Sequence, residues 1–328
     1  MEAVTVTSMQ TELLARRVRL ERAMTEAPPT ENLKYLLNEV DAALARIEKG
    51  TYGICETCHD PIEPERLAAD PLLRNCIDHL SATEQRALER DLDLAFQIQK
   101  ALLPKNNLHV DGWSAAYHYE PAGAVSGDYC DIIIPERADG SLFVFVGDVM
   151  GKGVAASILM GHLHAMFSSL LLGNMPLSNL VERANRIFCE GTPRAHFATL
   201  ISGKASANGV VEICNAGNCL PLLMRGKDVQ AIALHALPIG LFCNGEYPTT
   251  TISMSAGDSL VLFTDGLTET RSASGEEYGE QRLSRLLRAH AHSFPVEIIA
   301  ASLRDVKAFK GETAKTDDLT ILVLQRTR

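Results

Sequence analysis

The hydrophobic pattern of this chain changes period near residue 108. Before that point apolar residues recur every three or four positions. Leu33, Leu36, Leu37, Val40, Ala43, Leu44 and Ile47 form one such stripe, the spacing of an amphipathic helix. The pattern predicts helices over 8–24, 30–49 and 82–103, the last with Leu88, Leu92, Ala95, Phe96, Gln99, Leu102 and Leu103 on one side. Pro28-Pro29 separates the first two helices, Thr30 is a candidate N-cap, Gly50 and Gly53 end the second, and Pro104 stops the third. Beyond residue 108 short β-type runs take over, at 113–119, 129–134, 141–147, 196–202, 209–214, 219–224, 259–264 and 319–325. Helical stretches lie among them at 153–172, 176–190, 279–292 and 295–309. The strands are grouped and do not alternate strictly with helices, which predicts α+β layers over a parallel doubly wound sheet.

Composition narrows the functional classes. A length of 328 residues predicts about two domains. Lys and Arg total 31 against 41 Asp and Glu, a net charge of −10, which argues against affinity for nucleic-acid phosphates. The deficit is even: residues 1–105 carry 13 basic and 18 acidic groups, the remainder 18 and 23, so each part is −5. No apolar run approaches the roughly 18–20 residues that span a membrane, and the polar N-terminus lacks a signal-peptide core. The expectation is a cytoplasmic chain with no direct nucleic-acid and no membrane partner. There is no internal repeat, and Gly151-Lys152-Gly153 is too short for a phosphate-binding P-loop.

Three of the eight cysteines are clustered. Cys55-Glu56-Thr57-Cys58 is followed, after 17 residues, by Cys76-Ile77-Asp78-His79. Two pairs with this internal spacing form two knuckles that can meet at one tetrahedral ion. Thiolate and imidazole suit Zn²⁺, and four protein ligands leave no open position, the mark of a structural site. So short a segment buries too little apolar surface to fold alone, so the metal supplies much of its stability. His59 competes with His79 but breaks the paired spacing, and is expected to be exposed. Cys130, Cys189, Cys214, Cys219 and Cys243 are scattered in apolar contexts and read as packing. His162 and His164 are two apart on a helix and face different sides.

Four acidic motifs follow residue 108: Ser-Gly-Asp128-Tyr-Cys-Asp131, Val-Gly-Asp148-Val-Met-Gly-Lys-Gly, Phe-Thr-Asp265-Gly-Leu-Thr-Glu269 and Thr-Asp317-Asp318-Leu-Thr. Singly, each reads as a turn or a helix cap. Together, all adjoining apolar strands, they point to one site. Convergent carboxylates repel, and their pKa values rise unless a cation holds them. Oxygen ligands call for Mg²⁺ or Mn²⁺. Two ions bridged by one carboxylate and a water would generate a hydroxide nucleophile and clamp a phosphoryl group.

Two family resemblances cover most of the chain. The run Leu37–Cys58, with Ile62, Arg66, Leu67 and Arg74-Asn75-Cys76-Ile77-Asp78-His79, resembles the DksA/TraR zinc-finger family, with His79 where the last ligand is usually Cys. Residues 92–328 resemble the SpoIIE/RsbU branch of the metal-dependent PPM (protein phosphatase 2C-like) serine/threonine phosphatases. The motifs are Gln97-Ile-Gln-Lys-Ala-Leu-Leu-Pro104, Ser-Gly-Asp128-Tyr, Gly147-Asp148-Val149-Met150-Gly151-Lys152-Gly153, Asn215-Ala-Gly-Asn218, Pro238-Ile-Gly-Leu241, Thr264-Asp265-Gly-Leu-Thr-Glu269 and Asp317-Asp318-Leu-Thr320.

The resemblance implies a β-sandwich flanked by helices in α-β-β-α layers. A small helical zinc-finger module (1–81) and a helical regulatory linker (82–107) precede the phosphatase domain (108–328). It implies that Asp148 bridges two Mn²⁺ or Mg²⁺ ions with the Val149 carbonyl as a further ligand. Asp128, Asp265 and Asp317 are the other ligands, Asp318 is the alternative to Asp317, and Asp131 and Glu269 stand behind them. Met150 occupies the position of a proposed general-acid His, and Asn218 follows Asn-Ala-Gly where His is usual. The expected activity is hydrolysis of phosphoserine or phosphothreonine on a regulatory protein, in this family often a STAS-type anti-anti-sigma factor. A homodimer through the linker helix is also expected. The alternative is a non-enzymatic transcriptional regulator that binds RNA polymerase through the finger.

Overall fold

The computed structural model describes residues 3–26, 31–80, 82–135, 140–173, 175–193 and 196–328. The Pro28-Pro29 break and the Thr30 cap lie outside the described residues. The chain divides into two compact units, Met1–Asp91 and Leu92–Arg328, with the division inside one helix, α4 (Ala82–Leu102).

In the first unit α1 (Ala3–Glu26) pairs with α2 (Glu31–Glu48) because each carries an apolar stripe. Leu13, Val40, Ala43 and Leu44 close against Tyr52, Ile62 and Leu67 in one small core. The short α3 (Pro64–Ala69) opens on a proline, whose missing N–H is harmless at a helix start. Polar ties supplement this core. The Arg46 guanidinium donates to the Leu73 and Leu72 carbonyls at 2.8 and 3.1 Å, and the Tyr52 hydroxyl donates to the Pro71 carbonyl at 2.9 Å.

The second unit is built from two antiparallel sheets. One has the order β1 (Leu108–Val110), β2 (Trp113–Glu120), β11 (Leu319–Arg326), β10 (Ser259–Phe263), β7 (Leu222–Arg225), β8 (Asp228–Ala231). The other runs β3 (Asp128–Ile133), β4 (Leu142–Val149), β5 (Ala198–Ala205), β6 (Val210–Ala216), β9 (Thr250–Ser253). Between the sheets lie Trp113, Val144, Val146, Ile201, Ile213, Leu262, Leu322 and Leu324. The outer face of the β3–β9 sheet is covered by α5 (Val154–Leu170) and α6 (Leu177–Gly191), through Phe145, Leu163, Phe167, Leu180 and Phe188. The other sheet is covered by α8 (Glu280–Ala289) and α9 (Pro295–Lys310), through Phe263, Leu283, Leu287, Ile298, Ile321 and Val323.

The result is the expected α-β-β-α sandwich. It explains why Ile321-Leu-Val-Leu324 is apolar without alternation: successive side chains point to opposite faces, and both faces are buried. The strand expected over 219–224 begins only at Leu222, because Pro221 has no N–H for a ladder. Strands β1, β8 and β9 have three or four residues each, too few for a period to register. On α4 the residues Leu92, Ala95, Gln99 and Leu102 do turn inward, as does Leu103 just beyond it, but Leu88 and Phe96 are exposed. Cys130 and Cys214 pack in the core as expected; Cys243 is exposed, contrary to the packing reading.

Candidate functional site

Two clusters of ligand-type side chains stand out. In the first unit Cys55, Cys58, Cys76 and His79 each offer a ligand atom, all within 4.8 Å of one another. They are the one group of this compactness among the described residues. Cys58 Sγ and Cys76 Sγ are 3.7 Å apart, and Cys76 Sγ lies 3.3 Å from His79 Nδ1. A tetrahedral Zn²⁺ with Zn–S bonds of about 2.3 Å has ligand–ligand edges of about 3.8 Å, so the donors fit that ion in number, kind and spacing. Backbone turns build both knuckles. Cys55 N–H donates to the Asp60 carbonyl at 2.9 Å and His79 N–H to the Cys76 carbonyl at 3.0 Å. Burial opposes ionisation of the Cys55 thiol, yet N–H groups of Cys58, Cys76 and Thr57 pointing at the sulfur bring its pKa to about 6. His59 is exposed and outside the group.

The acidic motifs converge at one end of the sandwich. Asp128 opens β3 and Asp148 nearly closes β4, and the antiparallel register sets them opposite each other. Asp265 opens α7 (Asp265–Thr268), two positions after the end of β10, with Thr264 between. Asp317 and Asp318 lead into β11, which pairs with β10. Gly266 lets these two ends meet. A Cβ there would fall 1.8 Å from the Asp318 carbonyl oxygen and 3.3 Å from Asp317 Cβ, so only glycine fits.

The electrostatics follow from this crowding. Burial, then the charges of Asp265, Asp317 and Asp318, push the Asp148 carboxyl up to about 7, with Lys152 opposing. Asp265 is raised by burial and by Asp317. Asp128, 1% exposed, is pushed well above the carboxylate range by burial, Asp148 and Asp318. Its Oδ2 is steadied by two hydroxyls, Thr264 at 2.9 Å and Thr320 at 2.5 Å. An all-oxygen set whose members strain against ionising together is matched to hard divalent cations.

The adjacent aspartates differ in what they touch. Both oxygens of Asp318 accept backbone N–H bonds, from Ala122 at 2.6 Å and Gly127 at 2.8 Å, which pins the 122–127 loop. Asp317 pairs with Lys152 at 3.0 Å. The Val149 carbonyl lies beside Gly127, 3.0 Å from where a Cβ would sit there. Lys152 also donates to the Thr316 carbonyl. Burial lowers the pKa of Lys315, which pairs with Glu120 at 3.3 Å. Glu269 lies at the edge, its carboxyl raised by partial burial and by Asp265.

Asp131 does not join the cluster. An odd step along β3 turns it to the opposite face from Asp128, where it meets His164 Nδ1 at 3.0 Å and the Tyr129 hydroxyl at 3.3 Å. His162 faces elsewhere and stacks on Phe188. Asn218 accepts the Cys219 N–H at 2.6 Å and turns inward toward β4. The sequence pattern does not single out Thr264 and Thr320, though both stand inside the acidic motifs. Their signal is a hydroxyl residue one before Asp265 and two after Asp318.

Comparisons with known proteins agree with this geometry. The family model of Stage II sporulation protein E (SpoIIE) matches residues 138–327, and that of the prokaryotic dksA/traR C4-type zinc finger matches residues 50–78. Protein IcfG of Synechocystis sp. is 25% identical over 265 residues, 72% of this chain and 41% of IcfG. Phosphoserine phosphatase RsbU of Bacillus subtilis is 24% identical over 245 residues, 74% of this chain and 72% of RsbU. Among solved structures, the SiaA-PP2C domain of Pseudomonas aeruginosa superposes with a TM-score of 0.65 at 22% identity, covering 75% of this chain and 99% of that domain, which establishes a shared fold. The chain thus spans less than half of IcfG and about three-quarters of RsbU.

Proposed function

Since the chain belongs to the SpoIIE family, we propose that it is a divalent-cation-dependent PPM-type phosphatase acting on phosphoserine or phosphothreonine in a protein. The observation that carries this reading is the meeting of Asp128, Asp148, Asp265 and Asp317, from four separate motifs, at one end of the sandwich. Asp148 feels the largest number of the other carboxylates and is the candidate to bridge two ions, with the Val149 carbonyl beside it. Asp317 is favoured over Asp318 as a ligand, because both oxygens of the buried Asp318 tie down the 122–127 loop, whereas Asp317 accepts its neighbour's N–H and pairs with the exposed Lys152. Bound there, Mn²⁺ or Mg²⁺ would supply the Lewis acidity that activates water and neutralises a phosphoryl group.

The chain's own residues prepare the site. Asp318 and the two threonine hydroxyls hold the Asp128 strand end. Lys152 screens the carboxylates from one another and offers a positive charge at the rim. Met150, exposed beside the site, has no proton to give, so leaving-group protonation falls to water.

The substrate is assigned as a phosphorylated regulatory protein, a STAS-type anti-anti-sigma factor by family resemblance; the name of RsbU supports the phosphoserine class. The finger, fitted to one structural Zn²⁺, is assigned a docking or sensing role. Exposed Leu94 and Ile98, four apart on one side of α4, support pairing of that helix with a second copy. No helix is long and apolar enough to cross a membrane among the described residues, and the cytoplasm is the assigned compartment. The test is hydrolysis of p-nitrophenyl phosphate and of phosphoproteins with Mn²⁺. Activity lost in Asp148→Asn supports the reading; a wild type as inert as that variant across metals and substrates sinks it.

A further inference from the structure

Gln99 is buried, whereas the other described polar side chains of its helix are partly or fully exposed. It is 4% exposed, although Ile98 and Lys100 on either side are exposed. Both halves of its amide are used on a single residue. Nε2 donates to the Ser126 carbonyl at 2.7 Å and Oε1 accepts the Ser126 N–H at 3.0 Å. The side chain thus pairs with that peptide as a neighbouring strand would.

Ser126 sits at the centre of what holds the acid cluster. Its hydroxyl accepts the Asp128 N–H at 3.0 Å. The next residue, Gly127, gives its N–H to Asp318 and takes the Val149 N–H at 3.2 Å. A Cβ on Gly127 would lie 3.4 Å from Asp148 Oδ1. The 122–127 loop is therefore gripped from two sides, by Asp318 ahead of β11 and by Gln99 near the end of α4.

We infer that Gln99 is a positioning residue for the carboxylate site: its amide fixes the Ser126–Gly127 backbone, which sets Asp128 opposite Asp148 and holds the Val149 carbonyl beside Gly127. Methionine could fill the same space, but the double clamp requires an amide, and a packing role does not explain two hydrogen bonds to the backbone of one residue. The inference rests on the metal-dependent reading above. The effect falls on affinity for cation, with the chemical step left intact once cation is bound.

The experiment uses the full chain and Mn²⁺ as the probe. Gln99→Met keeps the volume and removes both bonds. Calorimetric Mn²⁺ affinity, and the Mn²⁺ concentration giving half-maximal p-nitrophenyl phosphate hydrolysis, should both weaken about tenfold or more. The turnover number at saturating Mn²⁺ should stay within about threefold, and the exposed neighbour Gln97→Met should match wild type. A folded Gln99→Met protein with wild-type Mn²⁺ affinity overturns the inference while the phosphatase reading stands. A wild type that binds no Mn²⁺ overturns both. Hydrogen exchange in the wild type gives a reading free of any folding defect in the variant: the Ser126 amide should exchange as slowly as those of β3, and rapid exchange there refutes the clamp.

Discussion

Asp148→Asn should abolish activity and at the same time stabilise the metal-free protein. In the folded chain the Asp148 carboxyl titrates at about 7, against an ordinary 3.8, because it is buried among Asp265, Asp317 and Asp318. Below about pH 4 it is neutral whether the chain is folded or not, and it costs nothing. Between there and about pH 7 the unfolded chain ionises first, so the folded state loses up to about 1.36 kcal/mol for each pH unit. Above pH 7 both states are ionised and the loss is complete, at about 4 kcal/mol in the limit of a fully rigid site. For a domain of this size 1 kcal/mol is worth about 2–4 °C in Tm, so the amide should raise the metal-free Tm at pH 7.5 by about 5–15 °C. The assay is thermal unfolding in EDTA from pH 5 to 7.5, repeated with excess Mn²⁺. Wild-type Tm should fall as pH rises across this range, and the variant's should fall less. Mn²⁺ should restore the wild type and do little for Asp148→Asn. A metal-free variant no more stable than wild type at pH 7.5, or a wild-type Tm flat from pH 5 to 7, would refute the account of a strained carboxylate cluster.

Further outcomes follow from other parts of the molecule. Gly266→Ala must push the Asp318 carbonyl away from a Cβ placed 1.8 Å from it; urea denaturation should show a loss of about 3 kcal/mol or more, together with loss of phosphatase activity, and a near-neutral result would contradict the close approach of α7 and β11. Thr320→Val removes one of the two hydroxyls that serve the buried Asp128 carboxyl and should destabilise by about 1.5–3 kcal/mol, with Thr320→Ser close to wild type. Cys55→Ser should lower zinc content from one ion per chain, read by plasma mass spectrometry, and reduce protection of residues 50–80 in hydrogen exchange while leaving β3 and β4 protected. Full zinc content in that variant would argue against the four-ligand site.

The architecture was legible where burial imposes a period. The stripe from Leu33 to Ile47 became α2, and the unbroken run at Ile321–Leu324 became a strand covered on both faces, because in each case packing demands that spacing. The convergence of Asp128, Asp148, Asp265 and Asp317 was legible as well, from motifs that adjoin strands. Asp131 was not, since a β-strand turns alternate residues to opposite faces and Asp131 stands three positions after Asp128; its partner His164 comes from α5, more than 30 residues away. Gln99 stood inside a quoted motif and read only as one position on a helical stripe. Its two bonds to Ser126 depend on tertiary placement, which no local pattern encodes. The different surroundings of Asp317 and Asp318 were not legible either, because the N–H groups of Ala122 and Gly127 that meet Asp318 come from nearly 200 residues away.

The place of β11 in its sheet has a consequence for how the protein is made. It lies between β2 and β10, and its register sets Arg326 against Trp113 and Gln325 against Ser259. During synthesis β2 and β10 leave the ribosome long before the strand that joins them. Each waits with an open edge of unpaired N–H and C=O groups, a surface prone to pairing with other chains. Pairing across so long a stretch of chain is slow, so the sandwich closes after translation of this region. Asp317 and Asp318 arrive with the same strand, so the nascent chain holds an incomplete set of acidic groups until the sheet is sealed.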